Sequence, residues 1–226
     1  MTPGTRIVRS CELVDGVWSQ VQELCNSLTA MTATTLENGD FESLRSAGAW
    51  TGDWDEAPSG WGSTGYAMRF PVAEKRRRKA TVDGWINFQV SVFGGGIPPL
   101  QGGHAESVGP VIHVSFWQVQ TDFRESGMFV EFPLTLDEYL QVRSERLLYW
   151  DALNDGTLPQ WTFTIRLLDL NSEDALRRAI IEPIQALLKN VEPAVALPDT
   201  LPGLVFYTSA ENEELGPIVV ALEQPL

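Results

Sequence analysis

The sequence predicts an α+β protein: a predominantly antiparallel sheet of about five to seven strands, with N-terminal, central and C-terminal-half helices packed on it. Three observations carry that prediction. Residues 80–93 alternate, with Ile86, Phe88, Val90 and Val92 set against Asn87, Gln89 and Ser91, the period of a strand with one buried face. Residues 10–28 and 171–189 instead space their apolar residues at the helical period,. Finally, a run of strand patterns precedes a stretch in which helix and strand patterns alternate, the order of α+β rather than α/β proteins. We find no internal repeat and no linker that divides the chain, so residues 1–226 are read as one domain.

The N-terminal helix is expected over residues 10–28, where Val14, Val17, Trp18, Val21, Leu24, Cys25 and Leu28 form one stripe. Ser10 has the chemistry of an N-cap. Residues 37–65 change character and read as a long acidic loop rich in Trp and Gly, with turn signals at Asn38-Gly39 and Pro58-Ser59-Gly60,. Strands are expected over 66–72, 80–93, 110–120 and 127–132. Residues 94–107 form a Gly/Pro-rich loop between two of them.

Thr135 and Glu138 have the spacing of a capping box. With Leu136, Tyr139, Leu140, Leu147 and Trp150 behind them, they predict the central helix. A strand follows over 161–168. Asn171-Ser172-Glu173-Asp174 then opens the last helix, with acids in its first turn,. Its apolar face is Leu176, Ile180, Ile184, Leu187 and Leu188, and Pro183 should kink or split it,. Two short strands, 204–208 and 218–222, close the chain.

Charge is the strongest functional signal. The chain carries 16 Lys and Arg against 30 Asp and Glu, a net charge of −14. Five of the basic residues form one block, Lys75-Arg76-Arg77-Arg78-Lys79, so the rest of the chain sets eleven cations against all 30 acids. Such a body repels nucleic acid and anionic lipid and attracts a basic partner. Nucleic acid is expected to bind, if anywhere, through the basic turn. Residues 190–226 hold six acids and no Lys or Arg. No apolar run approaches the roughly 20 residues that cross a bilayer, and the N-terminus lacks the apolar core of a signal peptide. A cytoplasmic protein that does not engage membranes is expected. Cys11 and Cys25, 14 positions apart on one helix, lie about 21 Å apart along its axis and cannot pair. They are expected to be reduced thiols facing the core.

Four segments are candidates for chemistry. The acidic Trp-bearing stretch places Asp53, Asp55 and Glu56 among Trp50, Trp54 and Trp61, and indoles are favoured contact anchors. Glu211, Glu213 and Glu214 form a second acid set near the C-terminus. The basic block is placed at a hairpin tip, where its side chains diverge and also guard an edge against aggregation. The Gly-rich loop ending at His104 has neither a Gly-Lys-Ser/Thr sequence nor a G-x-G-x-x-G that opens a helix, so it is no phosphate cradle. The acids lack calcium-loop spacing and the two His and two Cys lack zinc spacing. No metal and no cofactor are expected. Asn38-Gly39-Asp40-Phe41-Glu42 resembles the opening of some carbohydrate-binding jelly-roll modules. It covers five residues of a chain with at least three expected helices, and no family is assigned from it.

These readings favour a cytosolic interaction protein, of the inhibitor, immunity or anti-restriction type, that binds a partner with a basic surface. Its contacts are expected at Trp50, Asp53, Trp54, Asp55, Glu56, Trp61, Glu211, Glu213 and Glu214. The alternatives are an enzyme with a site between the Trp-rich and Gly-rich loops near His104, and a ligand- or nucleic-acid-binding module that uses the basic turn.

Overall fold

The computed structural model describes residues 3–38, 41, 44–56, 63–75, 81–91, 109–118, 134–151 and 160–222. The class is α+β. An antiparallel sheet of eight strands, more than the five to seven expected, runs in the order β1-β3-β4-β5-β8-β7-β6, with β2 also paired to β3. Its strands are β1 (Leu44–Ser46), β2 (Thr51–Glu56), β3 (Ser63–Glu74), β4 (Gly84–Ser91), β5 (Val111–Trp117), β6 (Leu140–Arg143), β7 (Leu147–Trp150) and β8 (Gln160–Arg166). A separate two-stranded sheet pairs β9 (Tyr207–Asn212) with β10 (Gly216–Ala221).

One face of the large sheet is apolar. Met68 and Phe70 of β3, Ile86, Phe88 and Val90 of β4, Ile112, Val114 and Phe116 of β5, and Trp161, Phe163 and Ile165 of β8 lie in matched register. They join the helices in one core. Each such side chain contributes roughly 1.5–3 kcal/mol by leaving water.

The N-terminal helix α1 (Pro3–Asn38) is twice the length expected, and Ser10 is interior to it rather than a cap. Val21, Cys25, Leu28 and Leu36 are buried. Val14 and Val17 of the predicted stripe are exposed, as is Cys11. The stripe continues beyond the surface available to cover it. Residues 37–65 are not simply a loop, since α1 extends to Asn38 and β1, β2 and the start of β3 fall there.

The predicted central helix is a hairpin instead. Thr135 bridges to Ile218, and Asp137 Oδ1 accepts the N–H groups of Tyr139 and Leu140, both at 2.8 Å. Local side-chain bonding of this kind competes with helix formation. Ser144 and Glu145 adopt φ of 51° and 57°, the left-handed hand that turns a hairpin. Their carbonyls are then taken by one local and one distant partner: Arg146 Nε donates to Ser144 at 2.6 Å and the Tyr207 N–H donates to Glu145 at 2.6 Å.

The last helical region begins where expected. Ser172 Oγ accepts from the Ala175 N–H at 3.1 Å. It runs through α2 (Glu173–Leu176), a π-helical turn (Arg177–Ile181) and α3 (Glu182–Leu188). Pro183 has no N–H to offer the carbonyl of Ala179, and the wide π turn just before it absorbs that misfit without a break. A further short helix, α4 (Pro193–Ala196), was not foreseen. The expected strand over 127–132 and the Gly/Pro-rich loop over 94–107 lie outside the described residues.

Candidate functional site

Glu211, Glu213 and Glu214 lie on a braced hairpin. β9 and β10 pair from Tyr207↔Ala221 to Asn212↔Gly216, which leaves Glu213, Glu214 and Leu215 as the turn. Asn212 Oδ1 accepts the N–H groups of Glu214 and Leu215, each at 3.0 Å, and Gly216 takes the left-handed φ of 77° needed to re-enter the strand,. Glu211, Glu213, Glu214 and Leu215 are exposed. At the opposite end Tyr207, Val219 and Ala221 are buried with Val111, Leu140 and Leu148 in a second core. Three carboxylates thus surround an apolar tip on an arm with a buried root.

The other predicted acids belong to a different sheet. Asp53, Trp54 and Asp55 of β2 stand opposite Ala67, Tyr66 and Gly65 of β3, and Glu56 is opposite Ser63 after a register shift. Trp50 is half exposed and stacks on Phe70 with ring centroids 6.2 Å apart. Lys75 is exposed at the end of β3. Trp61, His104 and Arg76, Arg77, Arg78 and Lys79 lie outside the described residues.

The second face of the large sheet departs from the expected wet surface. Arg69, Asn87, Gln89, Ser91, His113, Ser115, Gln160, Thr162 and Thr164 are all buried. They sit side by side in register, as in Arg69↔Asn87↔Ser115↔Thr162 and Gln89↔His113↔Thr164. His113 Nδ1 lies 2.6 Å from Thr164 Oγ1, which also accepts from the Tyr207 hydroxyl. Burial lowers the His113 pKa from 6.5 to about 3, which keeps it neutral. This histidine is the structural kind; its strand neighbour Ser115 projects parallel to it rather than toward it.

A groove of about 480 Å³ lies between α2, the π turn and α3 on one side and α4 with residues 198–202 on the other. Ala175, Ala179, Pro183 and Val195 form part of its apolar lining, and Asp169, Arg178 and Glu182 bring charge to it. The sequence concealed it because its walls come from separate segments. Pro183 inside an apolar helix was the one available signal. Among the described residues no group of three or more His, Cys, Asp or Glu is placed to hold a metal ion. No described helix is long and apolar enough to cross a membrane. Comparison with protein-family models, with curated proteins and with solved structures gives no match.

Proposed function

We propose that this protein works by binding a basic macromolecular partner, in the manner of an inhibitor or immunity protein whose fixed carboxylates occupy a surface built for phosphates. The observation that supports this reading most directly is the acidic hairpin turn. Glu211, Glu213 and Glu214 are exposed around Leu215 on an arm anchored by Tyr207 and Val219. The net charge of −14 steers a cationic partner toward the protein from a distance,. The braced turn adds a preorganised contact, which lowers the ordering cost of association.

The test is affinity capture from the native lysate at low and high ionic strength, with the wild type beside the triple variant E211K/E213K/E214K. The expected result is a basic protein retained by the wild type at low salt, released at high salt, and lost by the variant. Capture unchanged by the triple reversal, or indifferent to salt, would overturn the hairpin reading.

A further inference from the structure

We propose that the groove beside the π-helical turn is a docking site for a short partner segment that places an apolar side chain next to a lysine or arginine. This rests on the reading that the partner is basic, and it names a second surface that recognises that partner. The groove's 480 Å³ falls within the roughly 300–1,000 Å³ of sites that take a ligand. Its lining is largely small and apolar, with Ala175, Ala179 and Ala186 on the helix side. Polar groups suited to orienting a small molecule are few; the charges of Asp169 and Glu182 are instead exposed to solvent. That arrangement suits an apolar anchor with a basic flank.

Two further observations agree. Val195, which lines the groove, is 69% exposed. A single exposed apolar residue is ordinary, but this one continues a concave surface lined by Ala179, Pro183 and Ala186. Charge complementarity sets the sign of the partner. Among the described residues neither Asp169 nor Glu182 is held in an ion pair, and these two carboxylates outnumber Arg178, the groove's lining cation. The π turn contributes by widening the helix just where Ala179 faces the groove, and such turns recur at functional sites.

The probe is a fluorescein-labelled amphipathic peptide of Leu and Lys, with a control of equal charge in which every Leu is Ser. Binding is read by fluorescence anisotropy on the full chain and on V195R, E182K and the hairpin triple variant. We expect the Leu–Lys peptide to bind the wild type at least about tenfold more tightly than the Ser–Lys control. V195R and E182K should each weaken it by a similar factor. The two substituted positions are exposed, so both variants should fold. Equal binding of the two peptides, or affinity untouched by both groove variants, would sink the groove. If the hairpin variant alone abolishes binding, the basic-partner reading stands and the groove falls. If the groove variants abolish binding and the hairpin variant does not, the groove stands and the hairpin contact falls. Failure of both peptides to bind the wild type counts against both readings.

Discussion

His113 Nδ1 lies 2.6 Å from Thr164 Oγ1 across the β5–β8 ladder, and both residues are fully buried. Tyr207 donates its hydroxyl hydrogen to the same oxygen. A hydroxyl oxygen has two lone pairs and one hydrogen, so Thr164 serves both partners at once. The chain joins the large sheet to the C-terminal hairpin, because Thr164 is on β8 and Tyr207 on β9.

Burial lowers the His113 pKa from 6.5 to about 3. The unfolded chain therefore binds a proton at this site below pH 6.5 while the folded chain does not. Stability is full above pH 6.5, falls as pH drops toward 3, and changes no further from this group below that. The loss is on the order of 5 kcal/mol. Urea midpoints measured across this pH range should show a shallower slope for H113Q than for the wild type; identical slopes would refute the assignment.

Thr164→Val should cost more than Tyr207→Phe. The first removes an oxygen shared by two partners, while the second removes one donor and leaves the His113 contact intact. Values of roughly 2–3 and about 1 kcal/mol are expected. Denaturant unfolding of both variants checks the order, and the reverse order would show that Thr164 is not the shared oxygen.

Arg146 should matter far more than its ion-pair partner. Its Nη1 lies 2.7 Å from Asp199 Oδ1, but Asp199 is 79% exposed. The same guanidinium donates to the carbonyls of Ser144 and Leu197 and lies 5.0 Å from the centroid of Phe206. Asp199→Ala should therefore cost less than about 1 kcal/mol. Arg146→Met should cost about 2 kcal/mol or more, because two part-buried carbonyls lose a charged donor,. Thermal unfolding of the two variants decides it; equal losses would mean that the ion pair is the dominant contact.

The two thiols should differ sharply. Cys11 is exposed, whereas Cys25 is buried and its pKa is raised to about 12 by burial. Reaction with a thiol reagent under native conditions should label Cys11 promptly, and Cys25 only after unfolding. Labelling of both at equal rates would show that the α1 contact around Cys25 opens readily.

By itself the sequence determined the class, the period-two strands β4 and β5, and the start of the C-terminal helix. In each case a local signal, alternation or an N-cap, coincides with the final structure. Ser172 was legible because its own side chain satisfies the Ala175 N–H. The acidic surface was legible too, since charge adds up regardless of fold. Tertiary structure alone decided the rest. Residues 135–150 match a helix locally, yet the left-handed pair Ser144 and Glu145 is held by Arg146, Tyr207 and Glu192, two of them distant in the chain. Asn87, Gln89 and His113 alternate as a wet face would, and nothing local distinguishes a solvated strand face from a buried polar one. The groove at Ala179 likewise exists only once α3 meets α4. Periodicity reports which residues share a face, and only the packing of distant segments settles what that face meets.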